Sequence, residues 1–294
     1  MSRYASPAAF RAALESRLNV SAAAGGRSVG RLRKLIAFSR FLARLQQSAP
    51  DHWVLKGGFA LELRLAGQAR TTRDIDLDWR TTLEEATEVL LEAASLDLHD
   101  YFDFDVERAG EADLLGATRF RANASIAGRL FEQLLIDVGI EQARFEPAEE
   151  LTTPDLLAFA GIEPAHVPAA PLEQHLAEKL HAYTRRYGSG HPSSRPKDLI
   201  DMVLISELAD FHARRLRQVV EEVFATRATH ELPAQLPPPP SQWARPYRTL
   251  ATEVGIDPDP GHGHGQVARL INTLFAGISL EDRWDREALA WRPP

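Results

Sequence analysis

The stretch Asp74-Ile75-Asp76-Leu77-Asp78-Trp79 alternates strictly between carboxylate and apolar side chains. A period of two marks a strand with one buried face, so Ile75, Leu77 and Trp79 point to a core and the three acids point away from it. Cα atoms at i and i+2 of a strand lie about 6–7 Å apart. That spacing lets Asp74 and Asp76 grip one or two Mg²⁺ (or Mn²⁺) ions, which favour carboxylate oxygens together with substrate phosphates. Three like charges on one face repel, so this strand needs a cation or basic partner nearby.

Upstream, residues 53–55 read as a short strand that breaks at Gly57-Gly58 and runs into a short helix over 59–65. Lys56, Gly57 and Gly58 at such a strand-to-helix turn suit a phosphate, because bare backbone approaches it closely and helix N–H groups point at it. An ordinary Gly-Gly turn is the alternative. Residues 27–47 read as a helix on which Arg33, Arg40 and Arg44 fall within about 20° of one another. Leu35 and Leu42 lie opposite, which predicts a basic stripe outside and an apolar one inside.

Downstream, 82–95 reads as an amphipathic helix, and 102–106, 118–123 and 129–140 as strands, the last carrying Asp137. After Pro147 the pattern turns helical, over 172–187, 198–208, 210–226, 241–255 and 264–278. A Gly/Ser/Pro loop at 188–196 has the composition of a lid, and 237–240 is a polyproline spacer. The expected fold class is α/β (α+β), a small mixed sheet followed by a mostly helical region. Three segments are expected: a basic helical one over 1–49, the sheet core over 50–147 and a helical domain over 148–294.

With 294 residues, 44% of them hydrophobic, the chain is long enough for one large domain or two modest ones. It has no Cys, which excludes disulfides, thiolate zinc sites, iron–sulfur clusters and Cys nucleophiles. No run approaches the ~20 apolar residues of a membrane span, and Arg and Gly interrupt the N-terminal apolar stretches, so a soluble cytoplasmic protein is expected. The net charge of −7 is unevenly spread: residues 1–50 hold nine Lys/Arg against Glu15 alone, and 84–113 hold eleven acids against Arg108 alone. Lys179, Arg185, Arg186, Arg195 and Lys197 form a second basic run. Such segregation lets one surface attract phosphates while the average stays acidic. No P-loop, dinucleotide fingerprint or Ser/His/Asp order is present. His262 and His264 sit in a Gly-rich segment without the further ligands that a zinc site requires. Trp53, Trp79 and Trp243 read as core.

Gly57-Gly58 followed by Asp74-x-Asp76 resembles the signature of the nucleotidyltransferase superfamily that shares its core with DNA polymerase beta. More closely, residues 53–64 (WVLKGGFALELR) with 72–78 (TRDIDLD) resemble the AbiEii/AbiGii family of nucleotidyltransferase-like toxins, which includes the mycobacterial MenT toxins. Family members often carry a hydroxyl after the first Gly or after the pair. This chain has Gly58 and Phe59 there, so backbone N–H groups must serve. Residues 177–180 (AEKL) resemble the family's lysine-bearing helix, and 195–201 (RPKDLID) its Arg/Lys-Asp-x-x-Asp helix.

The resemblance implies a nucleotidyltransferase core over 50–147, with Asp74, Asp76, Lys179, Asp198 and Asp137 as catalytic residues and Asp74 and Asp76 as metal ligands. Lys179 would hold the triphosphate, and Asp137 would serve as base or third metal ligand, with pairing to arginine as its alternative. Lys56, Gly57, Gly58, Arg73 and Asp201 would bind nucleotide or phosphate, although a structural role also suits Asp201 and a salt bridge Arg73. The helical domain would close over the nucleotide. The implied substrate is an NTP, the implied acceptor the 3′ end of tRNA, and an antitoxin encoded alongside is the implied partner; no membrane is involved. Arg33, Arg40, Arg44 and Arg186 are the expected RNA contacts. Two rivals remain at this point: a non-catalytic RNA- or protein-binding module on the same scaffold, and transfer to a protein or a small molecule such as an antibiotic.

Overall fold

A computed structural model describes residues 3–25, 27–66, 68–111, 117–140, 147–187 and 191–294. Two units divide the chain, and the first comprises residues 1–66, 71–144 and 148–169. Its elements are α1 (Pro7–Gly25), α2 (Val29–Ser48), β1 (Trp53–Lys56), α3 (Gly57–Arg64), β2 (Asp74–Trp79), α4 (Leu83–Ser95), β3 (Asp103–Glu111), β4 (Thr118–Ile126), β5 (Arg129–Ile140), β6 (Glu149–Thr152) and β7 (His166–Ala169). The strands form one mixed sheet in the order β3-β4-β5-β2-β1-β7-β6. β2 is the pivot, parallel to β5 and antiparallel to β1.

The alternation read from the sequence becomes the two faces of this sheet. Ile75, Leu77 and Trp79, with Phe120, Ala122, Leu134, Ile136 and Val138, are buried in one core cluster with Leu35, Phe38, Phe41 and Leu42 of α2. The other face carries the charged side chains. Local signals start the helices. Ser28 accepts from the Arg31 backbone N–H to cap α2, and Thr82 and Glu85 form a reciprocal capping box on α4. β6 and β7, expected to lie where the chain has already turned helical, instead extend the sheet.

The basic stripe on α2 is corrected by the structure. Arg44 is 0% exposed and Arg40 is buried, and both guanidinium groups grip Asp100. Arg44 donates to both carboxylate oxygens at 2.7 and 2.8 Å, Arg40 donates at 2.7 Å, and Arg44 also reaches the Leu96 and Phe102 carbonyls. Arg33 pairs with Glu15 at 2.6 Å. Arg40 and Arg44 therefore hold the interior together and present no surface to RNA. Helix α2 buries apolar residues on several faces, so the outward face that a two-sided wheel assumes is occupied.

The second unit comprises residues 67–70, 145–147 and 170–294. It contains α5 (Leu172–Thr184), β8 (Arg186–Tyr187), β9 (His191–Pro192), α6 (Pro196–Leu208), α7 (Ala213–Arg227), α8 (Ala244–Val254), α9 (Pro260–Phe275), β10 (Arg283–Asp285) and β11 (Ala290–Arg292). The centre of the expected lid, residues 188–190, lies outside the described residues, and β8 pairs with β9 on either side of it. Pro196 at the start of α6 and Pro260 at the start of α9 occupy first-turn positions, where a missing N–H costs nothing.

The Gly-rich segment Gly261–Gly265, of which only 264–265 fall in the expected helix, forms the first turns of α9. Glycine is a poor helix former, but Gly263 is required by space: a Cβ there would sit 3.1 Å from Tyr247 Cζ and 3.2 Å from Val203 Cγ2, and would overlap the Tyr247 hydroxyl. That hydroxyl is buried without a hydrogen-bond partner among the described residues, and burial pushes its pKa up to about 12. Gly263→Ala is expected to destabilise the protein by about 1–3 kcal/mol through overpacking. Adding Tyr247→Phe, which deletes the clashing oxygen, should recover part of that loss. Urea denaturation of the two variants checks both statements.

Candidate active site

The charged face of the sheet is assembled by register. Lys56 lies opposite Asp76 across β1/β2, Asp76 opposite Asp137 across β2/β5, and Asp137 opposite Arg119 across β4/β5. These four therefore share one face with Asp74 and Asp78. The need for a basic partner on β2 is met by Lys56, whose ammonium pairs with the buried Asp78 carboxylate. Lys56, expected to bind phosphate, thus already has an acidic partner on its own sheet face. Asp74 accepts a long hydrogen bond from Thr72 Oγ1 at 3.5 Å and stays partly exposed, as does Asp76.

Gly57 opens α3 with φ +66°, a conformation that glycine adopts at little cost. A Cβ at this position would lie 2.6 Å from Asp76 Cγ and overlap its carboxylate. The glycine expected to admit a phosphate admits the Asp76 side chain, placing that carboxylate against the first turn of a helix. That is a favourable position for negative charge. Gly58 is buried in the same turn, and Arg73 is exposed.

Asp137 is fully engaged. Arg119 donates from Nε to Oδ1 at 2.7 Å and from Nη2 to Oδ2 at 2.6 Å, a bidentate fork, while Nη2 lies 3.8 Å from Asp74 Oδ2. The hydrogen bond to Asp137 raises the Arg119 pKa; partial burial opposes it, and the charges of Asp137, Asp74 and Asp76 add to the rise. Sequence reading missed Arg119. It lies in no motif, and only its register opposite Asp137 gives it a place.

The second unit holds a separate charged cluster. Asp201 is 0% exposed, accepting from Arg70 Nε and Nη2 at 2.9 Å each and pairing with Lys179 Nζ at 2.8 Å. Lys179 also lies 3.4 Å from the equally buried Asp198, which Arg195 approaches at 3.2 Å. Burial alone would lower the Lys179 pKa, but Asp201 and Asp198 outweigh it and raise it. Asp201, expected with the phosphate-binding set, has its carboxylate saturated by two cations and so anchors the cluster. Burial pushes the neighbouring Lys197 down, helped by Arg195, Lys179 and Arg70. Arg186 is exposed on β8.

Burial alone would raise the Asp201 carboxyl, yet Lys179 and Arg70 hold it well below the usual carboxylate range. A depressed folded-state pKa contributes stability that is present above the unfolded value and lost as pH falls toward the folded one. Stability is therefore expected to drop below about pH 5, and less steeply in Asp201→Asn. Denaturant titrations between neutral pH and pH 3 measure the two slopes.

The charged face thus presents two part-exposed carboxylates on a central strand beside a glycine-opened helix. The sequence profile described as the nucleotidyl transferase AbiEii toxin of type IV toxin–antitoxin systems matches residues 40–273. The chain belongs to the AbiEii family. Like its family, it is a nucleotidyltransferase. Comparison with curated proteins gives no match. Among solved structures, this AbiEii-family chain is similar to MenT4, a nucleotidyltransferase toxin from Mycobacterium tuberculosis H37Rv, at 15% identity over 94% of this chain and 92% of MenT4, with a TM-score of 0.58. At that identity the likeness is one of fold. Two structures of the antibiotic-resistance factor ANT(2'')-Ia align over 66% of this chain and 94% and 98% of theirs, at 16% and 18% identity. Their TM-scores of 0.33 and 0.36 are too low to carry an argument. No helix among the described residues is long and apolar enough to cross a membrane.

Proposed function

We propose that this chain is a toxin that transfers a nucleotide from an NTP to the 3′ end of tRNA in the cytoplasm, blocking translation until an antitoxin encoded alongside counters it. The observation that carries the reading is the Asp74/Asp76 pair, with Asp76 seated against Gly57 at the head of α3 in a chain of this family. The acceptor hydroxyl oxygen would bond to the α-phosphorus as the bond to the bridging oxygen breaks. Pyrophosphate takes that electron pair, and the acceptor's proton passes to water or a neighbouring carboxylate. Positioning and electrostatic stabilisation supply most of such catalysis.

Mg²⁺ fits the residues present. Among the described residues no cluster of three or more metal-ligating side chains forms, but Mg²⁺ characteristically takes only one or two carboxylates, with water and substrate phosphate completing its shell. Asp74 and Asp76 would hold it, and when bound it would neutralise charge developing on the transferred phosphate. Lys56 keeps Asp78 from adding a third negative charge to that face. Lys179 and Asp198 are proposed as catalytic residues of the helical unit, with Asp201 and Arg70 fixing the lysine.

The test is a transfer assay with Mg²⁺, each α-labelled NTP in turn, and total tRNA, beside protein and small-molecule acceptors. Label entering tRNA with the intact chain and not with Asp76→Asn supports the reading. Label entering another acceptor only would move the assignment to that acceptor, and no label in any would replace the enzyme with a binding module.

A further inference from the structure

Arg119 and Asp137 form a bidentate contact on the charged face of the sheet, and it is asymmetric. Both Asp137 oxygens are consumed by the fork from Nε and Nη2, whereas Nη1 makes no hydrogen bond among the described residues. The Arg119 side chain is 30% exposed and that of Asp137 12%. Nε and Nη2 are locked on Asp137, while the side chain as a whole keeps contact with solvent. A divalent ion could take Asp137 only by breaking the fork, and no group of three acids is gathered for it among the described residues.

A polyphosphate approaching Asp74, Asp76 and Asp137 meets three carboxylates. An ion on Asp74 and Asp76 would offset two of them, and Arg119 offsets the third. A planar guanidinium held by one edge is preorganised to receive phosphate oxygens on the other. We propose that Arg119 contacts a phosphate of the nucleotide substrate through its Nη1 edge, and that Asp137 is a positioning residue for Arg119 and not a ligand of the ion. The proposal rests on the nucleotidyl-transfer reading and deepens it. It also places Arg119, 3.8 Å from Asp74, in competition with a cation for that carboxylate.

The experiment measures binding, so it is independent of turnover. Mn²⁺ affinity is read by electron paramagnetic resonance, and NTP affinity by calorimetry in Mn²⁺, for the intact chain, Arg119→Gln, Arg119→Lys, Asp137→Asn and Asp76→Asn, each checked for folding by its melting curve. Arg119→Gln is expected to weaken NTP about tenfold or more while leaving Mn²⁺ binding equal or tighter, and Arg119→Lys to restore little, because an ammonium cannot fork. Asp137→Asn should keep Mn²⁺ affinity within about threefold and weaken NTP by a smaller factor than Arg119→Gln, since the guanidinium keeps its charge but loses its hold. Asp76→Asn should lose Mn²⁺. Loss of Mn²⁺ in Asp137→Asn to the extent seen in Asp76→Asn overturns the proposal, as does undiminished NTP binding by Arg119→Gln; in either case the nucleotidyl-transfer reading stands. An intact chain that binds Mn²⁺ but no NTP overturns that reading and the proposal together.

Discussion

Asp76→Asn is expected to lower nucleotidyl transfer on the order of 10³-fold, about 4 kcal/mol of transition-state stabilisation, while the fold is retained. The substitution keeps side-chain shape and removes only the charge that would hold a cation beside the transferred phosphate. Gly57→Ala should cause a comparable loss without touching any charge. The added methyl would overlap the Asp76 carboxylate and sit at φ +66°, where a side chain costs roughly 1–2 kcal/mol. Part of that strain relaxes by moving Asp76, and displaced ligands lose rate steeply. The two variants, assayed with melting curves as a folding control, separate charge from placement. If Gly57→Ala kept full activity, the seating of Asp76 against the head of α3 would have no functional weight.

Arg44→Met is expected to cost about 3–5 kcal/mol of stability, the range for removing one partner from a buried ion pair. Asp100 would keep Arg40 and the Phe102 backbone N–H but lose the guanidinium that engages both of its oxygens, in a site that is 1% exposed. Burial alone would raise the Asp100 carboxyl, and Arg44 and Arg40 hold it below its usual value instead. The stability that Asp100 contributes is present above the unfolded carboxyl pKa and lost as pH falls. The variant should therefore unfold at lower urea concentration at neutral pH, and the gap to the intact chain should narrow toward acid. Replacing both partners, Arg44→Met with Asp100→Leu, should recover much of the loss, because the buried charges vanish together. A single-variant change below about 1 kcal/mol, the size of an exposed pair, would mean that the cluster is solvated.

Period-two alternation, glycine punctuation and family motifs made the central strand, its turn and the mixed sheet legible in the sequence. β2 needed nothing beyond its own six residues. The features that escaped depend on partners far along the chain. Arg40 and Arg44 look like a solvent face until Asp100 is brought against them from 60 and 56 positions away. Arg119 carries no motif at all; it acquires its place through strand register. β6 and β7 are four residues each, too short for a periodicity to show. The glycines of α9 signal a loop locally, and only the bulk of Tyr247 explains why Gly263 belongs in a helix. The candidate site divides the same way: its acids were readable, whereas the cations that engage them were readable as residue types without their pairings.

The sheet order has a consequence for how this protein comes into being. Strand β1 is flanked by β2 on one side and β7 on the other, with Leu55 set against Ala169. During synthesis the carboxylate strand and its glycine turn leave the ribosome early, yet the layer that supports them stays open until residues 166–169 emerge. Pairings so distant in sequence are slow to close, and domains generally fold as whole units while the chain is being made. A nascent or prematurely ended chain stopping short of β7 would carry every acidic residue of the sheet face without the frame that aligns them. A nucleotidyltransferase built in this order would thereby gain its aligned acidic face only once the chain has passed β7.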